Sequence, residues 1–153
     1  MSEDTREVEV TATEAMAEAK AKPETKGEVV AQLAKERDLS DVDMSGMDLA
    51  GMKFAGAKMT DAKLANADIS GGVFAGLDAT GTDLSNANLS GAKIAGASFV
   101  KALFRNAQMA AAKIAGVDMS KADLSNVDLT DSKMAGVSLE EAKLDNANLT
   151  AAT

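Results

Sequence analysis

The sequence predicts an all-β fold of an uncommon kind, a four-sided solenoid, and three regularities predict it. A large apolar residue recurs every five positions over most of the chain, a small one stands two positions before each, and a 20-residue period is superimposed on both. Counting in fives from Met44 to Leu149 gives 22 positions, of which 21 hold Leu, Met, Ile or Phe; the exception is Ala79. All four phenylalanines, Phe54, Phe74, Phe99 and Phe104, stand in this column. The second column is chiefly Ala, from Ala57 to Ala147, joined by Val42, Val117, Val127 and Val137. No residue is inserted or deleted across the run.

In chain order, residues 1–38 come first; they carry ten acidic and six basic side chains and obey no five-residue rule. Thr11 to Lys22 holds helix-favouring residues with hardly any apolar face beyond Met16, so residues 1–24 are expected to be a flexible, acidic, solvated tail. After Pro23 the pattern improves. Val30, Leu33 and Ala34 fall at i, i+3 and i+4 within Glu28–Arg37, which predicts one short amphipathic helix over residues 25–38, placed to cap the repeats. The solenoid is expected over residues 39–153.

A period of five suits neither regular element. On an α-helix five residues advance the face by about 500°, leaving successive large residues some 140° apart. On a strand, alternate large residues would point to opposite faces. One chain buries all of them only by turning after each unit, so each unit is a short in–out–in segment and a turn. Gly, Asn and Asp supply the turn because they tolerate positive φ. The second period gives the number of sides. Asn recurs at 66, 86, 106, 126 and 146, and Ala-Gly at 55–56, 75–76, 95–96, 115–116 and 135–136. Twenty residues are four units, so a coil has four sides and residues 20 apart stack along the axis. At about 4.8 Å per coil, 22 units make a rod roughly 27 Å long.

Units such as Ala87-Asn88-Leu89-Ser90-Gly91, Ala122-Asp123-Leu124-Ser125-Asn126 and Ala147-Asn148-Leu149-Thr150-Ala151 resemble the pentapeptide-repeat family, whose pattern is roughly A-(D/N)-L-x-x. The resemblance covers residues 39–153. It implies a right-handed quadrilateral β-helix with the large and the small residue both inward, and a bacterial adaptor, effector or secretion-associated role largely without enzymatic activity. The sequence departs from the pattern at Gly72, Leu77 and Ala79, where an oversized residue in the small column adjoins an undersized one in the large column. The last two are expected to compensate sterically.

Function in a solenoid is carried by its faces. One face presents Lys53, Val73, Lys93, Lys113 and Lys133 before the large residue and only Ala after it, a smooth basic stripe. The preceding face presents Asp48, Asp68, Asn88, Gln108, Asp128 and Asn148, an acidic and amide stripe. Stripes of opposite sign guide a partner's docking, and Lys ladders also keep β surfaces soluble. Within two consecutive units Val100, Lys101, Leu103 and Arg105 replace the usual polar or Gly residues, which makes them the best local candidates for a partner contact. The run stops at Leu149-Thr150-Ala151-Ala152-Thr153 without a capping helix, an uncapped coil that predicts a homodimer.

Composition excludes much chemistry. There is no His, Cys, Trp or Tyr, so no Ser-His or Cys-His pair, no imidazole or thiolate metal site and no disulfide is available. No catalytic residue, cofactor or metal is expected, and no enzyme activity. A net charge of −8 argues against direct nucleic-acid binding, and no apolar run reaches the roughly 18 residues of a membrane span. The opening residues Met1–Thr5 have no apolar signal core, so a cytoplasmic place is expected, with export by a dedicated secretion system compatible. The leading expectation is a non-enzymatic scaffold or adaptor whose partner is another protein. The alternative is a DNA-mimicking binder of DNA gyrase, as in family members that protect that enzyme from quinolones. The acidic balance favours it; the basic face and a rod of only about eight base pairs weaken it. Ice binding would need a regular Thr ladder, and neither hydroxyl column provides one.

Overall fold

The computed structural model describes residues 22–153. The tail expected over residues 1–24 lies outside the described residues except for Lys22, Pro23 and Glu24, and Pro23 is buried. The first element is the helix α1, Lys26–Glu36. The Thr25 hydroxyl accepts the Glu28 N–H at 3.2 Å and so starts it, while Arg37 ends it in the left-handed conformation at φ 52°, its N–H bonded to the Leu33 carbonyl. The bounds agree with the expected cap, but its face does not. Val29 is fully buried and Leu33 half-buried, whereas Val30 is 50% exposed and Ala34 exposed. Val29 and Leu33 are four apart and share one side, which is enough for a helix that touches the solenoid along a narrow strip.

From Asp38 onward the chain is a right-handed quadrilateral β-helix with every pairing parallel and every register step 20 residues. On three sides the pairing is by single bridges, such as Asp43↔Lys63 and Asp48↔Asp68. On the fourth it widens into true strands: β1 (Val73–Ala75), β2 (Lys93–Ala95), β3 (Lys113–Ala115) and β4 (Lys133–Ala135), which form a parallel sheet in that order. The bonding repeats with the sequence. The N–H of Leu64 donates forward to Asp83 at 2.7 Å, the N–H of Lys63 donates back to Val42 at 2.9 Å, and the Ala67 N–H closes the corner on Leu64 at 3.1 Å. Those corners require a positive φ at the residue before the closing donor, as type II turns do, and Asn66, Asn86, Asn106 and Asn126 supply it at 59–63°.

Both inward columns are buried from Leu39 to Leu129, the half-buried Met47 in the first coil excepted. The phenylalanines form a chain inside the rod, with ring centroids 5.1 Å apart for Phe54–Phe74, 6.3 Å for Phe74–Phe99 and 5.3 Å for Phe99–Phe104. Gly72 is explained by this crowding. A Cβ there would meet the Ile69 carbonyl oxygen at 2.9 Å and the Phe74 ring at 3.1 Å. Leu77 and Ala79 are both buried, at 4% and 0% exposure, so the oversized and undersized neighbours share the interior without opening it to solvent.

The two ends of the rod differ. Above the first coil, side chains of the α1 region cover backbone carbonyls that no earlier coil can reach: Lys26 Nζ donates to Ala50 at 2.5 Å, Gln32 Nε2 to Asp38 at 3.1 Å and Arg37 Nη1 to Ala55 at 3.0 Å. In the last coil the N–H groups of Leu139, Leu144 and Leu149 have no backbone partner among the described residues, and Leu149 is 46% exposed. That edge offers pairing positions to whatever adjoins it.

Candidate interaction faces

The outward side chains divide into two groups, according to whether the fold already uses them. On three faces the outward residue is usually Asp or Asn with Ser or Thr two positions later, and its side chain accepts that residue's N–H. Ten such bonds, from the Asp38–Ser40 pair to the Asn148–Thr150 pair, measure 2.9–3.1 Å, and Asp48 accepts the N–H of Ala50 in the same way at 3.2 Å. In several units the hydroxyl donates as well: Ser70 to Asp68 at 2.7 Å, Thr80 to Asp78 and Ser125 to Asp123 at 2.6 Å. These are Asx turns, formed because a short carboxylate or amide can bond its own backbone two residues on. They hold the carboxyls of Asp43, Asp68, Asp78, Asp118 and Asp128 below the ordinary carboxylate range, first through the Ser or Thr hydroxyl and then through its N–H. The acidic stripe of Asp48, Asp68 and Asp128 therefore lines one face as expected, but each carboxylate there is also a turn ligand. The Asp/Asn-x-Ser/Thr spacing was the signal for this.

The Lys face is different. Lys53, Lys93, Lys113 and Lys133 are all exposed, and none makes an ion pair or side-chain hydrogen bond among the described residues. The residues after the large one are Ala, so no hydroxyl is present to draw the outward side chain back to the main chain. Without that turn, four of the five units here stay extended for three residues, and the strands β1–β4 lie on this face and nowhere else among the described residues. Lys93↔Lys113 and Lys113↔Lys133 are direct pairs in the sheet, and Ala75, Ala95, Ala115 and Ala135 run beside them. The result is a flat surface of methyl groups and like charges.

The patch at Val100–Arg105 is less open than the sequence suggests. Leu103 is half-buried, and it pairs with Asp83 on one side and Asp123 on the other, each a single coil away. Val100 is half-buried too, and Lys101 is an exposed corner residue at φ 61°. Arg105 is exposed, yet its Nε donates to Asp123 Oδ2 at 2.5 Å, the one ion pair among the described residues. Asp123 is 8% exposed, and its carboxyl is lowered to about 2 by the Ser125 hydroxyl, with Arg105 and the Ser125 N–H adding to the effect against the cost of burial. Two of the four candidates are thus partly sheltered and Arg105 is spent within the face, while Lys101 stays exposed without an ion pair among the described residues. Among the described residues no cluster of His, Cys, Asp or Glu suits a metal ion, and no helix is long and apolar enough to cross a membrane.

Comparison with known proteins agrees with this architecture. The family model for pentapeptide repeats matches in eight copies over residues 38–76, 73–106, 82–120 and 122–153, and the chain belongs to that family. A search of curated protein sequences returns no match. Among solved structures, a pentapeptide repeat protein from the thylakoid lumen of Arabidopsis thaliana is 28% identical, with a TM-score of 0.63 over 72% of this chain and 73% of that one. The pentapeptide repeat protein Rfr23 of the cyanobacterium Cyanothece 51142 is 21% identical, with a TM-score of 0.50 over 78% and 91%. The plasmid-mediated fluoroquinolone resistance protein QnrB1, in a trypsin-treated variant, is 23% identical, with a TM-score of 0.55 over 75% of this chain and 61% of that one. The last two likenesses concern the fold alone.

Proposed function

We propose that this protein is a non-enzymatic scaffold that docks another protein on its Lys face. One observation carries the reading: the Lys face alone pairs cations directly across the sheet on three successive coils, Lys93, Lys113 and Lys133, and the fold does not employ them, whereas Lys101 and Lys121 stack only as a pair at a corner. A flat row of uncommitted cations beside exposed methyl groups suits an acidic partner surface, since complementary charge fixes orientation and speeds encounter. Elsewhere most groups with catalytic reach are engaged in turns, and a face without concavity gathers no reacting groups around a substrate.

The DNA-mimic alternative draws on the net charge of −8, on the stripe of Asp48, Asp68 and Asp128, and on the likeness to a fluoroquinolone resistance protein. A mimic of duplex DNA should be anionic on every exposed side, and the Lys face interrupts it. Recovery of partners from host lysate tests both readings, with wild type compared against Lys93→Glu/Lys113→Glu/Lys133→Glu and against Leu103→Glu. The scaffold reading expects a partner retained by the Leu103 variant and lost by the triple variant. Recovery of gyrase subunits by all three, with inhibition of supercoiling by the purified protein, would replace it with the mimic.

A further inference from the structure

We propose that the acidic segment preceding Lys22 docks on the Lys face of its own chain and occupies the surface an outside partner would use. The significance of that competition rests on the docking reading proposed for this face; the contact itself does not.

Charge is the first argument. Residues 1–21 contain Glu3, Asp4, Glu7, Glu9, Glu14 and Glu18 against Arg6 and Lys20, net −4, which is half of the whole chain's net charge. The Lys face carries Lys53, Lys93, Lys113 and Lys133 and no carboxylate in either of its outward columns. Directly paired like charges on a sheet repel, so the run from Lys93 through Lys133 lacks an anion that the described residues do not provide. The other faces offer the segment less. Asp48, Asp68 and Asp128 would repel it, and on the remaining two the cations Lys58, Lys63 and Lys143 are each paired with a neighbouring Asp, leaving the corner pair Lys101 and Lys121, which is one cation shorter than the run on the Lys face.

Position is the second argument. The segment joins the described chain at Lys22, which lines a hollow with Ser45 and Asp48 at the end of the rod that α1 covers, one side away from the Lys face. Lys26 reaches the Ala50 carbonyl, which stands at the corner leading into the Lys face, and Leu33, Ala34 and Arg37 line a hollow together with Lys53 and Ala55. The α1 region thus already overlies the first rung of the Lys face. From Lys53 to Lys133 is four coils, or about 19 Å at the spacing of paired strands. Twenty-one residues reach up to about 70 Å when extended, so the segment can lie along every rung. Being tethered, it meets the face at an effective concentration on the order of millimolar.

Zero-length carbodiimide coupling of the full chain, mapped by peptide mass spectrometry, tests the contact. At about 20 mM salt the carboxylates of residues 3–18 should couple to Lys93, Lys113 and Lys133 at least several-fold more than to Lys58, Lys63, Lys121 and Lys143. Raising salt to about 0.5 M should remove the preference, because exposed pairs are screened within a few ångströms there. Coupling spread evenly over the lysines overturns the proposal. So does coupling found mainly between isotopically distinct copies in a mixed sample, which would make the occupant a second copy's segment. Because purified chain alone is used, failure here leaves the partner reading to its own test.

Discussion

At the residue scale the fold demands a left-handed backbone at every corner, and the sequence meets that demand unevenly. Glycine and asparagine hold many corners, but Lys101 at φ 61°, Ala111 at 57°, Lys121 at 61° and Ala151 at 56° are side chains that resist this region. The conflict costs roughly 1 kcal/mol or more per residue. Lys101→Gly should therefore raise stability by about 0.5–1 kcal/mol, glycine's greater freedom in the unfolded chain offsetting part of the gain. A urea midpoint no higher than wild type would contradict this. The small column holds a second contrast. Thr82 is buried and its hydroxyl donates to the Met59 carbonyl at 2.8 Å, whereas the buried Ser132 hydroxyl has no partner among the described residues. Ser132→Ala is expected to be neutral or stabilising by up to about 1 kcal/mol, and Thr82→Val to lose about 1 kcal/mol, when their denaturation midpoints are compared.

At the scale of one repeat unit, the turn and the core slot set separate requirements. Asp123 bonds Ser125 and Arg105, and its carboxyl lies near 2 rather than the ordinary value of 3.8. A carboxyl lowered in the folded state stabilises it fully above the unfolded value, and that contribution is lost as pH falls from about 4 through about 2. Asp123→Asn should cost about 1 kcal/mol at pH 7, allowing for solvent screening, and the gap to wild type should close by about pH 2. Urea melts at the two pH values check it. In the core slot, Leu77→Ala would leave the space beside Ala79 unfilled and cost about 2–5 kcal/mol, while Gly72→Ala would press a methyl against Ile69 and Phe74 and cost about 1–3 kcal/mol. A midpoint unchanged by the leucine truncation would mean that the two sites do not compensate.

At the scale of the molecule, the coil was readable because its cause is repeated. Twenty-one large residues in register leave one solution, and Asn66 to Asn146 mark its four sides. What the spacing conceals is how outward groups spend their bonds. Leu103 stands in an outward column, yet it is half-buried, and the residues it pairs with, Asp83 and Asp123, are 20 residues distant in sequence. The carboxylates of the acidic stripe look free in a composition count because their ligand is backbone. The choice of Val29 over Val30 depends on a few degrees of helix orientation, which i, i+3, i+4 spacing does not resolve. The parallel stacking at a constant step of 20 has one more consequence. Removing residues 86–105 would delete one whole coil and bring Lys113 into the place of Lys93. Removing only residues 86–90 would keep both inward columns in line, yet give the downstream rod a quarter-turn, so that Lys93, Lys113 and Lys133 continue the stripe of Asp48 and Asp68. To the interior a shift of five is invisible, while the exterior reads only multiples of 20. Two chains of this kind can thus be equally well packed and share no surface at all.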